Sequence, residues 1–125
     1  MEELPKHNEA LQFVFSTEEF VVKTQCQLVK DFGQYHLTFP DNFSTQAFSK
    51  AEITSLIEEN IAAILEEGET RLLQLLYTID LSEKIFLALT LSPDFIQLIS
   101  AKILEREAYK VYLKKLFLAF MHFNL

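Results

Sequence analysis

Ser16-Thr17-Glu18-Glu19-Phe20-Val21-Val22-Lys23-Thr24-Gln25-Cys26-Gln27-Leu28-Val29-Lys30-Asp31-Phe32-Gly33 is the stretch on which the fold class turns. Two periodicities compete within it. Val22, Thr24, Cys26 and Leu28 alternate with Lys23, Gln25 and Gln27, which suits a half-buried strand. Against that, Ser16-Thr17-Glu18-Glu19 has the form of a capping box, in which the serine oxygen accepts from a first-turn amide and the glutamate reaches back. A helix begun there runs to about Phe32, and Gly33 supplies a left-handed cap. Both ends carry helix signals, so the stretch reads as a helix.

The chain on either side agrees. Residues 34–48 form a long connection, extended before Pro40, with Phe43 and Phe48 pinning it to the core. Ser49-Lys50-Ala51-Glu52 is a second capping box, followed at helical spacing by Ile53, Leu56, Ile57, Ile61, Ile64 and Leu65. Gly68 ends that helix. Leu72, Leu73, Leu75, Leu76 and Ile79 make a shorter one, broken at Asp80-Leu81-Ser82. Ile85 to Leu91 is apolar on all sides, the pattern of a buried helix. Ser92-Pro93-Asp94 starts the last helix, which runs to about Phe120. Its first half carries Ile96, Ile99 and Ile103. Its second half carries Tyr109, Leu113, Leu116, Phe120 and Phe123 at alternating steps of four and three, the spacing of a helix–helix seam. The two stripes lie roughly a quarter turn apart, so the halves are expected to pack against different things. Upstream, residues 1–15 read as a partly ordered leader: Pro5 blocks an early helix, and Ala10 to Phe15 docks as an extended strip or short turn. The expected fold is all-α, one domain over residues 16–125 with about five helices and a long final helix.

The chain has 125 residues, half of them apolar, enough to bury a core without metal or disulfides. Gly33 and Gly68 are the only two glycines and stand 35 positions apart, which removes the glycine-rich phosphate loops. A single cysteine, Cys26, removes paired-cysteine zinc and redox sites. His7, His36 and His122 form no local metal pair. No cofactor and no metal are expected. The net charge of −7 divides into −10 over residues 1–100 and +3 over residues 101–125. That acidic bulk argues against nucleic acid as a partner. The acidic start is not a secretory signal, and no stretch reaches 18 uninterrupted apolar residues, so no membrane span is indicated and the cytoplasm is the expected location.

Leu72-Leu73-Gln74-Leu75-Leu76-Tyr77-Thr78-Ile79-Asp80-Leu81-Ser82-Glu83, Ile103-Leu104-Glu105-Arg106-Glu107 and Lys30-Asp31-Phe32-Gly33 together carry a resemblance. They resemble a group of small uncharacterised bacterial proteins. In that group a leucine-rich helix ends in Tyr-x-Ile-Asp and a later, longer helix carries Ile-x-x-Arg. The resemblance spans about 90 residues, and the phenylalanine-rich ending Leu116 to Leu125 departs from it. It implies a small cytosolic helical protein and no particular reaction.

Four residues form a candidate polar site: Asn60, Tyr77, Asp80 and Arg106. Asp80 and Glu83 follow Tyr77 at a helix junction, where Asp80 reads first as the cap of the next segment. Asn60 falls inside its helix's apolar stripe and needs a partner there. Arg106 offers bidentate binding of an anion, yet reads first as the partner of an acid from the first hundred residues, as do Lys102 and Lys110. Cys26 reads as a small buried hydrophobe beside Val22 and Val29. The segment Leu116 to Leu125 is mostly apolar and stands out most. It either docks on the chain's own core or is buried in a dimer or partner. Flanking Lys110, Lys114 and Lys115 suit a membrane surface, which the acidic body opposes. The expected function is non-enzymatic protein–protein contact, including a homodimer, through Tyr109, Leu113, Leu116, Phe117, Phe120 and Phe123. The alternative is an apolar-ligand module with a pocket among Phe32, Phe39, Phe43 and Tyr77.

Overall fold

The computed structural model describes residues 6–123, apart from the side chain of Phe123. Pro5, Asn124 and Leu125 therefore lie outside the described residues, as does the Phe123 ring of the seam. Six α-helices order the rest: α1 (His7–Val14), α2 (Glu18–Gly33), α3 (Lys50–Glu67), α4 (Glu69–Ile79), α5 (Glu83–Leu89) and α6 (Phe95–Phe123), with a short 3-10 turn at Asp41–Ser44. The fold is all-α, with no strand among the described residues and six helices where about five were expected.

The sixth helix is α1. Where an extended strip or a short turn was expected, His7–Val14 makes two helical turns with Ala10 and Val14 fully buried. Small side chains there let α1 lie close against α6, its main neighbour.

The contested stretch is α2, with both end signals displaced. Thr17, not Ser16, is the cap, and its Oγ1 accepts from Phe20 N at 3.3 Å. Ser16 turns its hydroxyl to Phe13 O instead. Gly33 is not a left-handed cap; it is the last helical residue, and His36 takes the positive φ of 61°. The period-two pattern also has an explanation. Thr24 and Gln25 are both fully buried, while Cys26 is exposed, correcting its expected core role. The Gln25 amide donates to Phe43 O and to Gln46 O (2.7 Å), and its oxygen accepts from Phe48 N at 2.7 Å. One buried glutamine thus ties the connection 41–48 to α2, while Phe43 enters the core and stacks on Phe39 at 4.5 Å.

The box at Ser49 forms as read: Ser49 Oγ accepts from Glu52 N and Glu52 Oε1 accepts from Ser49 N, both at 3.1 Å. Gly68 closes α3 with φ of 123°, a value side chains rarely adopt.

The main core joins Leu28 and Phe32 of α2, Ile53, Ile57, Ile61 and Ile64 of α3, Leu72, Leu75 and Ile79 of α4, and Ile99 and Ile103 of α6. A second cluster joins Val14, Phe20, Ala108 and Val111. The two halves of α6 thus serve two different cores, but the second is reached by Ala108 and Val111 and not by the stripe Tyr109, Leu113, Leu116, Phe120 and Phe123 expected to face it. The apolar run Ile85 to Leu91, most of it in α5, is not the buried centre expected of it. Only Phe86 is buried, while Leu87 is 61% and Leu91 94% exposed. A seven-residue helix lying on α6 buries one face and leaves the other in water.

Candidate functional site

At 29 residues, α6 is about 43 Å long. Up to Val111 it is packed. Tyr109 is 7% exposed, with the His7 ring 4.2 Å from its own. Tyr112 stands against Phe13 at 4.7 Å, and Leu113 is half-buried. The first part of the seam is therefore filled by the chain's own α1. From Lys114 to His122 every residue is exposed. Leu116 is 42% exposed, Phe117 61%, Leu118 59%, Phe120 64% and Met121 42%. At 100° per residue these side chains cover an arc of about 200°. Among the described residues of this segment no side chain is buried in the chain's own core, the first of the two readings of its sequence.

The polar candidates divide. Arg106 and Asp80 meet, with Nη2 2.7 Å from Oδ2, so Arg106 takes an acid of the first hundred residues as expected. Asp80 is not the cap of α5. It ends α4 in the left-handed conformation (φ 66°, ψ 44°), and Ser82 caps α5 by accepting from Lys84 N. Asn60 is only half-buried and donates to Thr38 O at 3.2 Å, away from the pair. Tyr77 is 87% exposed. The four do not form one site.

The pocket expected among Phe32, Phe39, Phe43 and Tyr77 is absent. Phe32 and Phe43 are fully buried and their rings pack with Phe39. Tyr77 instead lines an open groove of about 410 Å³ with Tyr35, Leu73, Leu76, Leu81 and Glu83.

The most perturbed group is one the sequence reading passed over. Glu107 is fully buried on α6, and Asp31 of α2 is nearly so. Lys110 Nζ lies 2.9 Å from Glu107 Oε1 and 3.0 Å from Asp31 Oδ2. Lys110 thereby finds its acid in α2, whereas Lys102 pairs with Glu105 of its own helix. Burial, and then the hydrogen bond to Asp31, pushes the Glu107 carboxyl up from 4.5 to about 8, against the pull of Lys110. At neutral pH it is the protonated acid. The Glu107 oxygens are closed to solvent, and the direct tie between α6 and α2 is the Lys110 donation to Asp31. Its signal was spacing: Ile99, Ile103, Glu107 and Val111 fall at steps of four on the buried stripe.

Among the described residues no group of three or more His, Cys, Asp or Glu side chains is placed to hold a metal ion, and no helix is long and apolar enough to cross a membrane. No protein-family model matches the chain, and neither a curated protein nor a solved structure matches it.

Proposed function

We propose that this chain is a cytoplasmic, non-enzymatic protein that works by protein–protein contact through the end of α6. One observation carries the reading: towards the end of α6 Leu116, Phe117, Leu118 and Met121 are exposed apolar side chains. Monomeric proteins rarely leave contiguous apolar surface exposed. Covering these side chains is worth about 1.5–3 kcal/mol for each one fully buried, before the costs of ordering. A protein surface suits the segment better than an anionic membrane does, because residues 1–100 carry −10.

Deletion of residues 116–125 tests the reading. In native affinity purification with light scattering, the full chain is expected to hold a stoichiometric protein, a second copy or another. The shortened chain is expected to lose it while keeping its helical circular dichroism. Retention by the shortened chain, or collapse of its helical signal, overturns the reading.

A further inference from the structure

Charge divides the end of α6 from the rest of the molecule. Residues 1–100 carry −10, whereas residues 108–125 hold three lysines, Lys110, Lys114 and Lys115, and no acid. Lys110 is engaged inside, by Asp31 and Glu107. Lys114 and Lys115 are both exposed. Lys115 lies over the Phe20 ring at 5.8 Å, and Lys23 lies over the same ring at 5.3 Å. The lysines of the α6 end therefore adjoin the first turn of α2. Two acids stand in that turn, Glu18 and Glu19, and Glu19 is paired with Lys23 at 3.2 Å. Three lysines against two glutamates leave this corner cationic on an acidic molecule.

The apolar side chains that follow have a definite layout. At 100° per residue, Leu116, Phe117, Leu118 and Met121 span an arc of about 200°. A flat surface meets less than half of a helix's circumference, so this arc calls for a concave one. Lys114 falls inside the arc, between the directions of Met121 and Leu118 and one turn before Leu118. A surface that wraps the arc thus meets the Lys114 ammonium as well. Covered by carbon alone, that charge opposes the contact; opposite a carboxylate, it favours encounter and fixes direction.

Three other occupants fit less well. A second α6 end carries the same lysines and no acid, so it offers Lys114 no countercharge. The chain's own open groove at Tyr77 is of mixed charge: Arg71 lies over its Tyr35 ring at 5.1 Å, and Lys84 follows its Glu83. An anionic lipid surface is flat on the scale of one helix and repels a body of −10.

Resting on the function proposed above, we infer that the partner is a different protein that presents an apolar groove with carboxylates at its rim. The end of α6 enters it as a helix. Leu116, Phe117, Leu118 and Met121 fill the groove, and Lys114, with Lys115 just outside the arc, meets the acids.

The test uses the full chain and the double variant Lys114→Glu/Lys115→Glu. Both positions are exposed, so circular dichroism should match that of the wild type. The complex retained by the wild type in native purification is treated with a carbodiimide, which joins a lysine amine directly to a touching carboxylate. Mass spectrometry is expected to find Lys114 or Lys115 joined to an aspartate or glutamate of the partner. This mapping uses the wild-type chain and is independent of how the variant folds. Binding of the double variant to the purified partner should be weaker by roughly tenfold or more, and wild-type binding should weaken as salt rises. A partner bound equally by both chains, with neither lysine joined to it, overturns the inference and leaves the α6 contact standing. A second copy as the sole protein retained overturns the inference alone. A wild-type chain that retains no protein overturns both readings, and its sedimentation with vesicles of phosphatidylcholine and phosphatidylserine would then assign the α6 end to a membrane.

Discussion

Replacing Glu107 by glutamine should flatten the pH dependence of stability. Glu107 holds its proton in the folded chain up to about pH 8, whereas the ordinary carboxyl value is 4.5. Across that window the unfolded chain has released a proton that the folded chain keeps. The folded state therefore loses stability as pH rises, by about 1.4 kcal/mol per pH unit. From 4.5 to about 8 this amounts to about 5 kcal/mol, all of it present below the lower value and gone above the upper. Because Glu107, Asp31 and Lys110 are in contact, the proton belongs to the cluster, and 5 kcal/mol is the upper end. Glutamine keeps the shape and an N–H donor toward Asp31 but has no proton to lose. Urea denaturation of both proteins from pH 5 to pH 9 checks this. Near pH 5 the two should be close in stability. By pH 9 the variant should be the more stable by several kcal/mol. Groups other than Glu107 act on both curves alike, so the difference isolates it. Parallel curves would show that Glu107 is not protonated inside the fold and would refute the reasoning.

Four further outcomes are expected. Gly33→Ala should raise stability by about 0.5–1 kcal/mol, since Gly33 is helical and its absent Cβ would meet nothing within 4 Å, whereas Gly68→Ala should lower it by about 1–3 kcal/mol because φ there is 123°; thermal denaturation reads both signs. Gln25→Leu leaves two carbonyls and one amide of the 41–48 connection without partners, and chemical denaturation should show a loss of about 2–4 kcal/mol. The Ser49 hydrogen bonds hold the Glu52 carboxyl below its ordinary value, so their contribution is present above that value and lost as pH falls through the lowered one. Ser49→Ala should cost about 1 kcal/mol near pH 7 and less in acid, as followed by urea melts at the two pH values. Asp80→Gly should be nearly neutral and Asp80→Ala should cost about 1 kcal/mol, because the left-handed backbone outweighs an ion pair whose acid is 81% exposed.

Much of the architecture was legible because helices are specified locally. The Ser49–Glu52 box, the spacing from Ile53 to Ile64 and the stop at Gly68 each involve residues within a turn or two of one another, and all three form as read. The second core of α6, by contrast, uses Ala108 and Val111, which lie off the stripe read for that half. The errors fall where the deciding contact is distant in sequence. Alternation in α2 looked strand-like because Gln25 is buried to bind a connection some twenty residues away. Cys26 looked like core because its helix face could not be placed until that connection was. The apolar run Ile85 to Leu91 looked central because composition does not say how many sides of a short helix find neighbours. Asp80 and Arg106 were both singled out, and only packing of α6 on α4 makes them a pair.

The sequence alone thus determined the helical class, most helix boundaries and the charge asymmetry between body and end. These follow from spacing, capping and composition, which act within a few residues. The tertiary structure alone decided that Tyr109 is buried against α1 while Phe117 stands in water, although both lie on one helix. It alone buried Glu107 beside Asp31 and opened the groove at Tyr77. The physical reason is common to all three. Burial is a property of what lies opposite a side chain, and no local pattern specifies which surface that will be.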